Sequence, residues 1–190
     1  MRTGPIYAEL TGLLASLPHL TELWVNVASN VDFLNSLPSV RQLTLVAFNL
    51  EQVQATPEQL IAAIGQCEQI TDLFVMYGDL EAKHVAALLS RMPAVRKLHF
   101  KSVPRLESLS FLSSEPLQRS LTSLTLSHYK NVGLRTAELR HVFDLPQLAH
   151  LHLHNSLSET LDSLTKHDLT VPSKRLPKLV ESKIRDDKTW

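Results

Sequence analysis

Apolar residues recur along this chain in a short asymmetric pattern, apolar-x-x-Leu-x-apolar. It reads LTELWV from Leu20, VRQLTL from Val40, ITDLFV from Ile70, VRKLHF from Val95, LTSLTL from Leu121 and LAHLHL from Leu148. Positions 1, 4 and 6 cannot share one face of a helix, whereas positions 4 and 6 fall on the same side of a strand of period two. Each copy therefore predicts a short strand. The middle leucines are Leu23, Leu43, Leu73, Leu98, Leu124 and Leu151. Their first step is the shortest and their second the longest, and the mean interval is about 26 residues, in the range of repeat architectures. One more match, Leu106 to Phe111, follows its predecessor at less than half that interval. Its spacing excludes it from the series.

A proline two residues before the first strand position travels with the pattern, in Leu17-Pro18, Leu37-Pro38, Met92-Pro93, Leu145-Pro146 and Leu176-Pro177. Proline there ends a preceding helix and biases its neighbour toward extended backbone. The last instance announces a seventh unit, Leu179 to Ile184, in which Ser182 stands where the middle leucine would be. That unit reads as a degenerate terminal strand. Between strands, Thr56-Pro57-Glu58-Gln59 is a helix start with Leu60, Ile61 and Ile64 on one face, and Ser156 to Glu159 is a capping box before Leu161 and Leu164. Asp79 is expected to cap a helix through Met92 that buries Leu80, Val85, Leu88 and Leu89; Thr136 opens another with Leu139, Val142 and Phe143. The first unit has room only for one or two turns over Val31 to Leu37.

Strands and helices alternating with a period of about 26 residues resemble the leucine-rich-repeat family, in its ribonuclease-inhibitor-like or F-box-associated form. The resemblance covers Leu17 to Ile184. It implies an α/β solenoid, a horseshoe with a parallel sheet on the concave face and helices on the convex face. One domain is expected over residues 1–190: an N-terminal cap at 1–19, six repeats at 20–178, and the degenerate strand and tail at 179–190. The asparagine that the family carries at position nine is absent, its place taken by Ala28, Phe48, Gly78, Val103, Tyr129 and Ser156.

Composition narrows the function. The one cysteine, Cys67, cannot form an internal disulfide, the start lacks a signal-like apolar run, and no stretch approaches the ~18–20 apolar residues of a membrane span. An intracellular, cytoplasmic protein that does not engage membranes is expected. Net charge is zero, but residues 1–90 hold three Lys and Arg against nine Asp and Glu, and residues 91–190 hold sixteen against ten. In a solenoid, order in sequence is order in space, so the molecule should be acidic at one end and basic at the other. Such polarity can steer a charged partner or favour head-to-tail self-association. Phosphate-loop, nucleophile-elbow, zinc-protease and dinucleotide motifs are all absent, and only five glycines are present. No enzymatic activity, cofactor or nucleic-acid partner is expected.

The candidate functional residues are those at strand positions 3, 5 and 7, which alternate with the core positions and face the open side of the sheet. The first half of that face offers Glu22, Trp24, Val46, Asp72, Phe74 and Met76; the second offers Lys97, His99, Lys101, His150, His152 and His154. Large exposed apolar side chains in a cluster mark binding surfaces. Three histidines at alternate positions of one strand put their imidazoles ~6.5–7 Å apart in succession. A pair so spaced can share zinc, yet the sequence offers no acidic residue or cysteine beside them to complete a tetrahedral set, so no metal is expected. The expected function is a non-catalytic scaffold that binds another protein on its concave face. The resemblance implies, as a finer form, the substrate-receiving part of an F-box ubiquitin-ligase adaptor, although the helices that recruit the ligase are not expected in the short segment 1–19 before the first repeat. Activation of a small GTPase is the alternative.

Overall fold

A computed structural model describes residues 12–26, 39–46, 56, 58, 61–62, 67–127, 135–154 and 176–185. Seven strands form one sheet: β1 Glu22–Asn26, β2 Gln42–Val46, β3 Asp72–Met76, β4 Lys97–Lys101, β5 Ser123–Ser127, β6 His150–His154 and β7 Glu181–Arg185. They are ordered as in the sequence, and every neighbouring pair is parallel. Leu23, Leu43, Leu73, Leu98, Leu124, Leu151 and Ser182 align across all seven, the register that the leucine spacing predicts. Parallel neighbours in sequence order require a crossover of the same sense in every unit. The result is an α/β leucine-rich-repeat solenoid.

One carbonyl per unit sets that register. The carbonyl of Thr21 accepts the N–H groups of both Arg41 and Gln42, and the carbonyls of Arg41, Thr71, Arg96, Thr122 and Ala149 each do the same for the next unit. The proline has a more specific task than ending helices. In Leu17-Pro18-His19-Leu20 the carbonyl of Leu17 accepts the N–H of Leu20 at 3.1 Å, so proline is the second residue of a tight turn, for which its fixed φ is suited. The same turn closes at Met92–Val95, Leu145–Leu148 and Leu176–Leu179, and also at Cys67–Ile70, where no proline stands. At the other strand ends, Tyr77 and Ser102 adopt left-handed backbone, with φ of 55° and 51°. Each donates its N–H to the last carbonyl of the following strand, Lys101 and Ser127, which offsets part of that strain.

The helices meet expectation in place more than in detail. Helix α1, Ala82–Ser90, buries Val85, Ala87, Leu88 and Leu89. Its cap is Glu81, not Asp79: the Glu81 N–H donates to His84 Nδ1 at 3.3 Å, while the Asp79 carboxylate turns to Arg105. Burial lowers the His84 pKa, which keeps that imidazole the neutral acceptor this bond needs. Helix α2, Glu115–Ser120, follows a 3-10 turn at Ser110–Ser113 and is absent from the sequence-based expectation. Helix α3, Leu139–Phe143, continues from a 3-10 turn at Thr136–Glu138, as the threonine start signal predicts. Residues 58, 61 and 62 are helical, but Ile61 is on the exposed side rather than the buried one. The expected turns over Val31 to Leu37, the Leu37-Pro38 turn and the capping box at Ser156 lie outside the described residues.

Positions 4 and 6 of β2 to β6, the turn residues and the helices form one core that runs from Leu14 to Leu176, with Leu23 and Val25 of β1 packed against it. No described helix is long and apolar enough to cross a membrane. Cys67 is buried, and that burial raises its thiol pKa. We expect the thiol to react with a disulfide reagent only after denaturant unfolds the chain. Rapid stoichiometric labelling of the native protein would place Cys67 at the surface instead.

Candidate functional site

Because the strands are in register, positions 3, 5 and 7 form three rows that cross the sheet at right angles to the strands. The first row is Glu22, Gln42, Asp72, Lys97, Ser123, His150 and Glu181; the second is Trp24, Thr44, Phe74, His99, Thr125, His152 and Lys183; the third is Asn26, Val46, Met76, Lys101, Ser127, His154 and Arg185. Adjacent members stand ~4.8 Å apart at the backbone. Side-chain positions of Asn26, Val46, Ile184 and Arg185 lie outside the described set.

At the N-terminal end Trp24 is 65% exposed, while Phe74 and Met76 are half-buried. The expected apolar cluster is interrupted. Thr44 stands between Trp24 and Phe74 and is buried, with its hydroxyl lacking a partner among the described residues. The Phe74 ring instead contacts His99 on β4, at 5.5 Å between centroids and 49° between planes. Phe74 thus belongs to the junction between the apolar and basic halves, and Trp24 stands apart at the edge of the sheet.

Charges on the face are sorted by row. All three carboxylates, Glu22, Asp72 and Glu181, are in the first row. Lys97 Nζ is 3.0 Å from Asp72 Oδ1, which pairs the central lysine within that row. Glu181 Oε2 is 3.4 Å from His150 Nδ1 and 3.3 Å from His152 Nε2, and Glu181 Oε1 is 2.5 Å from Lys183 Nζ. The Lys183 ammonium, then the His152 and His150 imidazoles, hold the Glu181 carboxyl down at about 2, so it stays an anion through the whole range in which imidazoles titrate. In the third row Lys101 Nζ is 5.5 Å from the centroid of the Tyr77 ring. A cavity of about 380 Å³ opens over the second and third rows between β4 and β7, walled by His99, Lys101, His152, His154 and Lys183, with Thr125 and Ser127 supplying hydroxyls.

Glu181 is the site residue that the sequence reading misses. The degenerate unit is recognisable from its proline, and its third position aligns with His150 by the same arithmetic that aligns the six repeats. That signal is sufficient to put a carboxylate beside the histidines, contrary to the expectation of no acidic neighbour. Even so, Glu181 lies between the two imidazoles as their ion-pair partner, and no group of three or more His, Cys, Asp or Glu among the described residues is arranged to hold a metal ion. The arrangement is therefore electrostatic: a basic, hydroxyl-bearing depression bounded along one side by a row of paired charges.

No protein-family model and no curated protein matches this sequence. Among solved structures, an internalin from Listeria monocytogenes strain 4b F2365 is similar over 94% of this chain and 51% of its own, at 16% identity and a TM-score of 0.49. The tropomodulin C-terminal domain of Caenorhabditis elegans is similar over 92% of this chain and 93% of its own, at 11% identity and a TM-score of 0.45. The chain spans about half the length of the internalin structure.

Proposed function

We propose that this chain is a non-catalytic scaffold that binds another protein on the open face of its sheet. The observation that supports this most is the exposure of Trp24, 65%, on a face whose backbone is already fixed by six parallel ladders. A large aromatic ring held on rigid backbone loses little entropy when a partner covers it, and tryptophan is enriched among residues that dominate interfaces. Phe74, Met76 and the basic depression extend the surface from that anchor. Recognition of substrates for an F-box ligase adaptor and stimulation of a small GTPase are finer forms of this reading, and both follow from the sequence resemblance alone. Self-association of acidic and basic ends is a further form, supported by the charge gradient.

The test is site-specific photo-cross-linking in cells, with the reactive side chain at Trp24 or at Lys83 on α1. A saturable adduct from position 24, absent from position 83, is expected. Trp24→Ala together with Phe74→Ala should weaken the captured partner by more than about 2 kcal/mol, as for interface anchors, with the thermal midpoint retained. If the double variant binds normally and α1 variants do not, recognition is on the helical side and the proposal is wrong.

A further inference from the structure

A partner seated on Trp24 also covers Glu22. The two are second neighbours on β1, on the same side of the sheet and ~6.5–7 Å apart at the backbone, and both are exposed. The open-face positions of β1 to β3 include two carboxylates, Glu22 and Asp72, and no lysine, arginine or histidine. Asp72 is accounted for: Lys97 Nζ is 3.0 Å from its Oδ1, and the Thr71 hydroxyl donates to its Oδ2 at 3.0 Å. Glu22 has no ion-pair partner among the described residues. Arg41, whose N–H bonds the Thr21 carbonyl, lines a depression at the strand entrance with Pro18, His19 and Ser39 instead.

We propose that Glu22 and Trp24 together hold an arginine side chain of the partner, its guanidinium stacked on the indole face and its edge paired with the carboxylate. The inference rests on the reading of the chain as a scaffold that binds through Trp24, and it names the chemistry of what binds there. Desolvation supplies the first argument. A carboxylate covered by a partner loses its hydration, and without a counter-charge nothing replaces it. The partner must therefore bring a cation to the spot two residues from its anchor. The wider field favours the same sign, since residues 1–90 hold nine Asp and Glu against three Lys and Arg.

The pairing of an aromatic face with a carboxylate selects between the two basic side chains. An ammonium is compact and strongly hydrated, and satisfies Glu22 as a point charge. A guanidinium is planar and more weakly hydrated; it can give two parallel N–H bonds to one carboxylate while its face covers a ring. Trp is the aromatic residue that attracts a cation best, within about 6 Å of the ring centroid. Gln42, opposite Glu22 on β2, adds an amide oxygen that can accept one of the remaining N–H groups.

The experiment titrates the full chain with Nα-acetyl-arginine amide and follows the Trp24 indole N–H and the Glu22 and Thr44 backbone amides by nuclear magnetic resonance. Trp190→Phe identifies which indole signal belongs to Trp24. The comparators are the citrulline amide, which has the same shape without the charge, and the lysine amide. Saturable shifts with the arginine amide are expected, with affinity falling as salt rises and at least about fivefold weaker binding of both comparators. Glu22→Gln and Trp24→Leu should each weaken arginine binding at least about fivefold, while Glu68→Gln, in the turn before β3, leaves it unchanged. If Trp24→Leu lowers the thermal midpoint, Trp24→Phe takes its place, with a smaller loss expected. Equal binding of the citrulline or lysine amide overturns the proposal, as does an absence of saturable shifts at Trp24. So does a Glu22→Gln variant that binds as wild type, or a Glu68→Gln variant that loses as much as Glu22→Gln, which would mark a diffuse acidic surface. These outcomes are separable from the scaffold reading: a partner still cross-linked at position 24 by a chain that ignores the arginine amide leaves the scaffold standing and removes only the arginine site.

Discussion

Replacing Phe100 by Ala should lower stability by about 3–5 kcal/mol, the cost of removing a fully buried aromatic side chain together with the cavity it leaves. Phe100 has no exposed surface, lies at the sixth position of the repeat pattern on the central strand β4, and meets the Phe111 ring edge-on at 5.8 Å between centroids. Phe111 belongs to the turn that leads into α2, so the pair ties the sheet to the helical layer in the middle unit. In a solenoid each unit is held only by its neighbours, and a fault at the centre weakens the link between the two halves more than a fault at either end. The thermal midpoint should fall on the order of 10 °C for a chain of this size, with a broadened transition as the halves begin to melt separately. Leu98→Ala, on the same strand and also buried, should cost about 2–5 kcal/mol. Midpoints unchanged in both variants would mean that β4 does not face the core as described.

The sheet is legible in the sequence because a strand of period two and a repeat of about 26 residues leave little freedom: once Leu23 to Leu151 are aligned, a slip of one residue would turn every leucine to solvent. The seventh strand is legible for the same reason, although Ser182 replaces its leucine. The helical side is less so. Helix α2 is six residues long and too short to show periodicity, and its available signal is Ser114 before Glu115 and Pro116, a start signal like the one at Thr56. The cap of α1 is misplaced by residue type, which favours Asp79, whereas the helix starts only at Ala82 and both Asp79 and the actual cap Glu81 pair with Arg105, distant in sequence. No local rule contains that guanidinium.

The candidate surface divides in the same way. Which residues share the open face follows from alternation, and all twelve expected residues lie on strands at outward positions. How they pair does not follow from alternation. The burial of Thr44, the turning of Phe74 toward His99, and the capture of His150, His152 and Lys183 by Glu181 all depend on how neighbouring side chains settle once the strands are side by side. Rows are sequence information, whereas pairings within and between rows arise only when the units stack.

A second large effect is expected where one unit is tied to the next on the helical side. The Oε2 of Glu138 accepts the N–H of Leu109 at 2.9 Å and the hydroxyl of Ser108 at 2.9 Å, so a carboxylate from the unit of α3 satisfies donors in the loop of the unit before it. Glu138→Ala should cost about 2–3 kcal/mol, because the lost acceptor is charged and the backbone donor of the buried residue Leu109 is left without it. Glu138→Gln, which keeps an acceptor oxygen but no charge, should cost about half as much. Burial alone would raise the Glu138 pKa; the Leu109 N–H and the Ser108 hydroxyl outweigh it, helped by His141 and Arg140, and the net shift is downward. A lowered folded-state pKa means that the contribution is complete above the ordinary value of 4.5 and is lost as pH falls below that value through the folded one. Denaturant unfolding of wild type and Glu138→Ala should therefore give a wide stability gap at neutral pH that narrows in acid. A gap of the same size in acid would show that Glu138 acts through its shape and not as an anion.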